Sequence, residues 1–265
     1  MLKPNLHIIK IGGQVIDNPT NLAEFINRLS TTDNLFILVH GGGTIATDLC
    51  KKLNIEVKQI EGRRVTDAAT LDVTSMVYCG LVNKKIVALL QANGKNAIGL
   101  CGADGNLIPA DKRLESPINY GFVGDVQTEN INVKLLQLLL TNNMLPVIAP
   151  ITHNNKGQLL NTNADTIAST LAIKLSTWYN TNLHFCFEKD GVLLDVNNPA
   201  SLIKELNKEK YEQLKLDGAI HSGMVPKIDN AFNAISQGVL AVYIRNANTF
   251  NLNNIAHDTG TKVAN

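Results

Sequence analysis

The sequence lacks the charge imbalance and the long apolar segments that characterise nucleic-acid-binding and membrane proteins. Its 24 lysines and arginines are matched by 23 aspartates and glutamates, which leaves a net charge of +1 at pH 7. A near-neutral chain gives no electrostatic reason to expect nucleic acid or an acidic membrane as a partner. No apolar run approaches the roughly 20 residues of a membrane helix, and the start of the chain reads as a strand that runs into glycines rather than as a signal peptide. We therefore expect a cytoplasmic protein with no nucleic-acid or membrane partner.

Cysteine and histidine are too few and too scattered for a disulfide framework or a structural metal. The four cysteines, Cys50, Cys79, Cys101 and Cys186, contain no CxxC pair, and the six histidines lack metal-ligand spacing. Buried, reduced thiols of a cytoplasmic protein account for this pattern. A Walker A sequence is also missing, which excludes a P-loop kinase. We expect no structural metal.

The most informative stretch spans residues 35–43 and reads LFILVHGGG. Its apolar run suits a strand that is buried on both faces of a parallel sheet. The glycines at its carboxyl end, Gly41, Gly42 and Gly43, let the backbone come close to a ligand. The helical segment that begins at Thr44 directs its N–H groups and the positive end of its dipole to the same place. The expected ligand is an anion, and a tight turn that binds nothing is the alternative.

The first predicted strand, residues 6–11, ends in the same way at Gly12 and Gly13, and a helix follows over 21–29. Two strand–glycine–helix units in succession favour parallel βαβ architecture. Lys10 is unusual near the end of this strand, because a buried strand carries a lysine when an anion or a carboxylate meets it. A surface lysine that extends its ammonium group into solvent is the alternative.

Hydrophobic periodicity and turn residues extend this α/β pattern along the chain. Residues 55–62 form a polar connection that can pair as a strand or hairpin, and Thr66 or Asp67 caps a long helix that runs to Gln91. The further predicted helices span 44–53, 133–140, 164–175 and 208–216, with a last one that the sequence GMVPK opens and that ends at 235. The further predicted strands span 97–100, 107–109, 121–126, 145–150, 183–187 and 238–244.

Two charged residues near predicted helix starts add to the candidate chemistry. Lys227 lies in the first turn of its helix, where a lysine opposes the helix dipole and is better explained if it faces a phosphate. Asp165 lies at the start of another helix, where an acid is simply a good cap. The glycines after the second strand also fit the dinucleotide pattern G-x-G-x-x-A, with Glu61 roughly where a ribose-binding acid would lie. An NAD(P)-binding oxidoreductase is therefore a rival, although the motif follows the second strand rather than the first.

Eight short motifs, in this order along the chain, resemble those of the amino-acid kinase family, and in particular its branch that acts on N-acylated glutamate. They read IKIGG (9–13), LVHGGG (38–43), GRRVTD (62–67), MVYCGLVNKKIVALL (76–90), GLCGADG (99–105), NTNAD (161–165), KDGVL (189–193) and GMVPK (223–227). Each motif is weak alone, but together they cover nearly the whole chain in the family's order, which makes a chance match implausible.

The resemblance implies a role for each candidate residue. Lys10 and Lys227 resemble the two lysines that hold the transferring phosphoryl group, and Asp165 resembles the carboxylate that positions both of them. Gly42 and Gly43 resemble the residues whose backbone N–H groups hold the reacting carboxylate of the substrate. These are anion-binding roles, as the residues themselves suggest.

The resemblance also implies contacts to the rest of the substrate and to the nucleotide. Arg64 resembles the arginine that binds the α-carboxylate, for which a planar guanidinium is suited, with Arg63 beside it as the alternative. Asn161 resembles a residue that contacts the substrate. The implied nucleotide contacts are Gly12, Gly13, Asp190, Gly191, Gly223 and Met224. The cofactors are ATP and Mg²⁺, with the metal carried on the nucleotide phosphates rather than by protein ligands.

The expected fold is a three-layer αβα sandwich with a mainly parallel central sheet, like that of carbamate kinase. Residues 1–178 are expected to bind the acyl-amino-acid substrate and residues 179–265 the nucleotide. The implied reaction is ATP-dependent phosphorylation of the γ-carboxylate of N-acetyl-L-glutamate, a step of arginine biosynthesis, with N-succinyl-L-glutamate as the alternative substrate. A carboxylate is already ionised at neutral pH, so this reaction requires no general base.

The sequence also leaves alternatives for the activity and gives an expectation for the oligomeric state. A sibling kinase that acts on carbamate, aspartate, glutamate or UMP, an NAD(P)-dependent oxidoreductase and a non-catalytic amino-acid sensor are the more remote alternatives. The chain starts almost directly at its first strand. It thus has no extra N-terminal helix of the kind that accompanies hexamers and arginine inhibition in the resembling family, and we expect a homodimer without arginine feedback.

Overall fold

The computed structural model describes residues 3–60, 62–115, 117–195, 198–220, 224–254 and 260–264. Its strands are β1 (Asn5–Ile11), β2 (Phe36–His40), β3 (Gln59–Ile60), β4 (Arg63–Arg64), β5 (Ala97–Leu100), β6 (Ala110–Lys112), β7 (Gly124–Val126), β8 (Leu145–Ile148), β9 (Ile151–His153), β10 (Leu159–Asn161), β11 (Asn180–Phe187), β12 (Glu205–Leu206), β13 (Ala241–Asn246) and β14 (Thr261–Val263). Its α-helices are α1 (Gln14–Asp17), α2 (Pro19–Ser30), α3 (Gly43–Lys52), α4 (Ala68–Ser75), α5 (Asn83–Ala92), α6 (Val133–Thr141), α7 (Ala164–Leu175), α8 (Lys208–Leu216) and α9 (Val225–Ser236).

Eight strands form one sheet in the order β12–β14–β13–β11–β1–β2–β8–β5. Every neighbouring pair in this sheet is parallel except β13 and β14. The strands β3 and β4, β6 and β7, and β9 and β10 form three separate antiparallel pairs. The expectation of a mainly parallel central sheet is confirmed.

Helices cover both faces of this sheet and divide the core into two layers. Leu6 and Ile8 of β1 pack in the layer that contains α6, α7, α8 and α9. Ile9 and Ile11 alternate to the other layer, which contains α1, α2, α3 and the long helical segment from α4 to α5. All four side chains are fully buried, because parallel strands between two helical layers are apolar on both faces. The expected three-layer αβα sandwich is confirmed.

The centre of the sheet brings the glycine-ended strands to one edge. β1 lies between β2 and β11, and Ile11 is in register with His40 on one side and with Cys186 on the other. The chain places β2 and β5 on one side of β1, inserts β8 between them, and then returns to the opposite side of β1 with β11. Connections that leave adjacent strands in opposite directions open a crevice at the carboxyl ends of the strands, where ligands bind in open α/β sheets.

The segment Ala68–Ala92 is one continuous helix whose middle part, Met76–Val82, is π-helical. The side chain of Asp67 caps it by accepting from the backbone N–H of Thr70 at 2.8 Å. By length and composition this helix could cross a membrane, so the expectation that no segment reaches that standard is wrong here. Its buried side chains, such as Ile86, pack in the core with α2 and the sheet. Packing within the fold therefore accounts for part of its hydropathy, while Met76 and Leu81 remain exposed.

The other differences from the sequence expectations concern short or polar strands. The strand predicted at 107–109 is wrong, since β6 begins at Ala110. β11 begins at Asn180, three residues earlier than predicted, because its polar first residues pair with β1 and β13. The helix α1, the pair β9–β10 and the strands β12 and β14 were not predicted, since segments of two to four residues carry too little periodicity. The proposed lobe boundary at 178 falls between α7 and β11, and the sheet is continuous across it.

Candidate active site

A cleft of about 670 Å³ opens at the carboxyl edge of the sheet. Its walls come from the glycines after β2, the hairpin β3–β4, the start of α7 and the start of α9. The lining residues on which the site depends are Gly41, Gly42, Gly43, Arg63, Arg64, Tyr78, Arg113, Asn161, Asp165 and Lys227. The cleft therefore lies where the sheet topology predicts a ligand site.

Two lysines meet one carboxylate beside the cleft. The Nζ of Lys10 lies 2.8 Å from Oδ1 of Asp165, and the Nζ of Lys227 donates to Oδ2 of Asp165 at 2.7 Å. Lys10 shares the strand face of Ile8, and α7 packs on that face. The structure thus brings together three residues that are far apart in sequence, and the cluster carries one positive charge in excess.

Asp165 is ionised in this arrangement. Its burial alone would raise the pKa of the carboxyl group, but the charges and hydrogen bonds of Lys10 and Lys227 outweigh that effect and hold the pKa well below its usual range. Asp165 does not serve as the cap of α7, because Asn163 accepts from the N–H groups of Asp165 and Thr166 at 2.8 and 3.1 Å. Its carboxylate is therefore available to the lysines.

The glycine loop after β2 depends on its lack of side chains. Gly42 has φ +146°, a conformation that L-residues rarely adopt, and a Cβ added there would lie 3.1 Å from the Tyr78 ring. Gly43 begins α3, and a Cβ added to it would meet nothing within 4 Å. The N-terminus of α3 and these glycines together present backbone N–H groups at the cleft, as an anion site requires.

Arg64 is fixed beside this loop with part of its guanidinium unpaired. Its Nη2 donates to the carbonyl of Gly43 at 2.9 Å and to Oγ1 of Thr47 at 2.7 Å. Its Nη1 is buried and has no hydrogen-bond partner among the described residues. A buried N–H of a cation without an acceptor costs free energy, so the site favours the arrival of an anionic acceptor such as a carboxylate.

The neighbouring Arg63 differs, because it is exposed on the hairpin although it also lines the cleft. Asn161 is buried at the end of β10, and its Nδ2 donates to Oγ1 of Thr66 at 3.0 Å. That bond fixes the amide so that its nitrogen faces Thr66. The structure thus places Arg64 and Asn161 in one cleft, with Arg64 rather than Arg63 held by the glycine loop.

Those residues expected to contact a nucleotide that the structure describes do not line this cleft. A Cβ on Gly12 would lie 2.8 Å from the Nζ of Lys10, so the glycine gives that lysine room, and Gly13 has φ +54° and is exposed. Gly191 is buried, and a Cβ added there would lie 2.7 Å from Oγ1 of Thr261. Packing alone therefore requires that glycine.

The other described residues that are expected to contact the nucleotide already have contacts within the protein. Oδ1 of Asp190 accepts from Nδ2 of Asn246 at 2.8 Å, and Met224 packs against the core as the residue before α9. Gly223 lies outside the described residues. The roles of these residues stay predictions.

Sequence reasoning missed several residues that line the cleft. Tyr78 belongs to a motif that carries the family resemblance, and its place in the π-helical segment turns it toward Gly42. Arg113 follows β6 and donates to Asp125 at 3.0 Å from Nε, and no spacing in the sequence indicated its place. Asn230 lies one turn after Lys227 on α9, and helical spacing from Lys227 was the available signal.

The described residues contain no group of three or more histidine, cysteine, aspartate or glutamate side chains that could hold a metal ion. A metal in this site would therefore need ligands from the bound substrate, as Mg²⁺ usually has. Glu61, the acid of the rival dinucleotide pattern, lies outside the described residues. Two ammonium groups beside a glycine loop instead suit a doubly anionic complex in which a phosphate and a carboxylate approach each other.

Comparison with known proteins identifies the family and the fold. The sequence pattern of the amino acid kinase family matches residues 5–246. An acetylglutamate kinase of Cytophaga hutchinsonii is 49% identical over 260 residues, which are 97% of this chain and 98% of that protein. Among solved structures, smu.665 from Streptococcus mutans UA159 has a TM-score of 0.78 at 26% identity and covers 98% of both chains. A carbamate kinase from Giardia lamblia has a TM-score of 0.70 at 12% identity over 99% of this chain and 98% of that one, which confirms the expected fold.

Proposed function

The chain belongs to the amino acid kinase family, and on that basis we propose that it phosphorylates the γ-carboxylate of N-acetyl-L-glutamate with ATP, as a step of arginine biosynthesis. A carboxylate oxygen of the substrate attacks the γ-phosphorus, the bond from that phosphorus to the β–γ bridging oxygen breaks, and ADP leaves with an acyl phosphate as the product. The observation that carries this proposal is the contact of Lys10 and Lys227 with one carboxylate, that of Asp165, beside a glycine loop.

The main obstacle to this reaction is the repulsion between two anions. The substrate carboxylate has an ordinary pKa of about 4.3 and is ionised at neutral pH, so no general base is needed. Lys10 and Lys227 neutralise the charge of the transferring phosphoryl group from two sides, and Asp165 holds both ammonium groups in place. Charges and N–H groups that are fixed before the reaction stabilise its transition state without further reorganisation.

The cleft also supplies partners for the remaining polar groups of N-acetylglutamate. The N–H groups of Gly42 and Gly43 hold the reacting carboxylate. The unpaired Nη1 of Arg64 binds the α-carboxylate. The Nδ2 of Asn161 is engaged with Thr66, so its Oδ1 is the atom that accepts from the amide N–H of the substrate.

ATP is the phosphoryl donor that the family implies, and the residues present fit its charge, since the lysine pair exceeds the single carboxylate by one positive charge. Gly12, Gly13, Asp190, Gly191 and Met224, with Gly223, are the proposed nucleotide contacts. Mg²⁺, when bound, neutralises phosphate charge and is carried by the nucleotide rather than by a protein cluster. Residues 179–265 form the nucleotide lobe and residues 1–178 the acyl-substrate lobe.

N-succinyl-L-glutamate is the second candidate substrate, and the number of arginines favours it. Arg63, Arg64 and Arg113 all line the cleft. N-acetylglutamate has one α-carboxylate and one reacting carboxylate, whereas the succinyl group adds a third. Arg63, which is exposed on its hairpin, is the cation available to that third carboxylate, because Arg113 is already paired with Asp125.

We further propose that the protein is a cytoplasmic homodimer. The helix of residues 68–92 is apolar, yet less than half of its most apolar stretch is buried. Met76 and Leu81 on this helix are 56% and 44% exposed. A second copy of the chain that covers these side chains would remove apolar surface from water.

One assay separates these possibilities. The protein is incubated with ATP, Mg²⁺ and N-acetyl-, N-succinyl- or unacylated L-glutamate, with carbamate and aspartate as further acceptors, and acyl phosphate is trapped with hydroxylamine. UMP as an acceptor would yield a phosphoanhydride, which hydroxylamine does not trap, so that reaction is followed by the release of ADP. Trapped product with N-acetylglutamate supports the proposal, and a higher kcat/KM with N-succinylglutamate selects the second candidate. Binding of NADH without product would favour an oxidoreductase. Binding of an amino acid without product would favour a sensor.

A further inference from the structure

We propose that His40 and Asn83 act as positioning residues that set the direction of the peptide between Gly41 and Gly42 and so aim the N–H of Gly42 into the cleft. This inference rests on the proposed function, because it explains how the glycine loop is held in a shape that can bind the reacting carboxylate. It concerns two fully buried polar residues to which neither the motifs nor the lysine cluster gave a role.

His40 is the last residue of β2, and its ring bonds to the loop that follows. Its Nδ1 lies 2.8 Å from the carbonyl oxygen of Gly41. A carbonyl oxygen only accepts hydrogen bonds, so Nδ1 must carry the proton and donate it. In a neutral imidazole the other nitrogen, Nε2, must then be an acceptor.

Asn83 supplies the donor that this tautomer needs. Its Nδ2 lies 3.1 Å from Nε2 of His40 and 3.0 Å from the carbonyl oxygen of Val147 on β8. Its Oδ1 accepts from Nζ of Lys84 at 3.2 Å. Both amide protons and the amide oxygen are therefore used, and the reverse orientation of the amide would set two oxygens against each other. Asn83 thus selects the tautomer of His40 that donates to Gly41.

The fixed carbonyl of Gly41 determines where the N–H of Gly42 points. The peptide bond is planar and trans, so its C=O and N–H groups point in opposite directions. Since the carbonyl of Gly41 faces the buried ring of His40, the N–H of Gly42 faces away from it, and Gly42 lines the cleft. No described residue accepts a hydrogen bond from this N–H.

The loop is also held on either side of this peptide. The N–H of Gly41 donates to the carbonyl of Ile11 at 2.9 Å, and the carbonyl of Gly42 accepts from the N–H of Ala46 at 3.0 Å. Without the donor from His40, the intervening peptide would be the one unit of the loop without a protein partner to orient it. The ring of His40 therefore supplies the remaining hydrogen bond that fixes the orientation of the loop.

The ring is neutral under ordinary conditions. Burial lowers the pKa of His40, the bond to Gly41 opposes that shift and the charge of Lys84 adds to it, so that the pKa falls to about 4. The hydrogen-bond partner of Nε2 also favours the neutral ring, because a proton on Nε2 would point at the N–H of Asn83. The donor to Gly41 therefore persists over the whole neutral range.

The network extends to β5 and explains a glycine there. The Nζ of Lys84 also donates to the carbonyl of Gly99 at 3.0 Å. A Cβ added to Gly99 would lie only 1.8 Å from Oδ1 of Asn83 and 2.7 Å from Nζ of Lys84. The space for the Asn83 amide exists because residue 99 has no side chain. Gly99→Ala therefore disturbs Asn83 without touching the loop.

Two substitutions of His40 separate positioning from space filling. In His40→Asn, the side-chain amide nitrogen can occupy the place of Nδ1 and still donate to Gly41. In His40→Gln, the amide is one methylene farther out, near the place of Nε2, and the donor to Gly41 is lost. Both variants remove the ring from a buried position, so both are expected to lower the melting temperature by similar amounts.

The first measurement is steady-state kinetics of acyl phosphate formation together with thermal melting. We expect His40→Gln and Gly99→Ala to raise KM for the acylglutamate and lower kcat/KM by about tenfold, less than the roughly 10²–10³-fold loss for a donor that touches the substrate. His40→Asn should recover most of that loss at an equal melting temperature. Equal activities of His40→Asn and His40→Gln, or wild-type kinetics for Gly99→Ala in a folded protein, would overturn the inference.

The second measurement does not depend on turnover. In ¹⁵N-labelled protein, His40 should show a protonated Nδ1 and an unprotonated Nε2 that do not titrate between about pH 5 and 8. The amide resonance of Gly42 should shift in His40→Gln and Gly99→Ala and stay near its wild-type position in His40→Asn. A wild type that forms no acyl phosphate but shows these shifts refutes the proposed function and keeps the positioning role. An active wild type with Nε2 protonated, or with a Gly42 amide indifferent to His40→Gln, refutes the positioning role alone.

Discussion

The ammonium group of Lys10 lies 2.8 Å from Oδ1 of Asp165 and joins the central strand of the sheet to the first turn of α7. β1 places Lys10 on the face against which α7 packs, and Asn163 relieves Asp165 of capping the helix. The contact therefore depends on two local features. Lys10 must lie on the face of β1 that packs against α7, and Asn163 must cap α7 in place of Asp165. It leaves the second oxygen of Asp165 for Lys227.

The lysines should be needed for turnover and not for folding. We expect Lys10→Ala and Lys227→Ala each to lower kcat at least about 10²–10³-fold, the usual loss when a group that stabilises transition-state charge is removed. Lys51→Ala, which removes an exposed lysine of α3, is the matched control and should leave kcat unchanged. The measurements are hydroxylamine-trapped acyl phosphate and the melting temperature. A folded Lys10→Ala or Lys227→Ala protein with near-normal kcat would contradict the assignment.

Asp165 should give the protein a specific loss of stability in acid. Its folded-state pKa lies below the unfolded value of about 3.9. A depressed pKa contributes stability that is fully present above the unfolded value and is lost as the pH falls through the folded-state value. We therefore expect the free energy of unfolding of the wild type to fall below about pH 4 by the contribution of the Asp165 carboxylate. The Asp165→Asn variant lacks that contribution at every pH.

Urea unfolding of both proteins at a series of pH values tests this expectation. Other carboxyl groups titrate in both proteins, so the difference between their free energies of unfolding isolates Asp165. That difference should shrink as the pH falls below about 4. A difference that stays constant with pH would show that the carboxylate is not held by the lysines in solution.

The two adjacent arginines should differ in their effect on substrate binding. Arg64→Ala removes a guanidinium that the glycine loop already holds, and the loss of a charged hydrogen bond of about 1.5–3 kcal/mol should raise KM for the acylglutamate about 10- to 100-fold. Arg63→Ala, the neighbouring control, should change KM for N-acetylglutamate little because its side chain is exposed. If Arg63→Ala has the larger effect, the α-carboxylate binds to Arg63 instead.

The glycines of the loop should separate stability from binding. Gly43→Ala adds a methyl group that meets nothing within 4 Å, so we expect an unchanged melting temperature and a raised KM, because the methyl group reduces access to the N–H groups. Gly42→Ala places a side chain at φ +146° and 3.1 Å from Tyr78. That strain should cost about 1–3 kcal/mol of unfolding free energy. Calorimetry measures the melting temperatures of both variants, and steady-state kinetics measures their KM values. Equal melting temperatures of the two variants would show that the loop is not held as described.

The exposed apolar side chains of the long helix predict how the proposed dimer is disrupted. Leu81→Glu would place an unpaired charge in the interface, which should raise the dimer dissociation constant at least about a hundredfold. Leu216→Glu changes a leucine of α8 that is 82% exposed and serves as the control that leaves the dimer intact. Sedimentation of both variants and the wild type over a range of concentrations measures the effect. A wild type that sediments as a monomer or a hexamer would contradict the proposal.

Much of the fold could be predicted because its main elements are long and periodic. β1 and β2 are apolar runs that end in glycines, and α7 and α8 lie over the residues that periodicity indicated. β12 and β14 could not be predicted, because strands of two and three residues form only by pairing with the edge of an existing sheet. The sequence also predicted the long helix of residues 68–92, but its spacing gave no sign that the middle part, Met76–Val82, is π-helical.

The sequence by itself determined which residues are chemically out of place: a lysine that ends an apolar strand, three consecutive glycines, and a lysine in the first turn of a helix. Their order along the chain determined the family. Only the tertiary structure decided that Lys10 and Lys227 share one carboxylate, that Arg64 rather than Arg63 is held by the glycine loop, and that Asn83 sets the tautomer of His40. The physical reason is that these contacts join elements far apart in sequence. Strand order and the packing of helices on the sheet set their distances, and no local pattern records them.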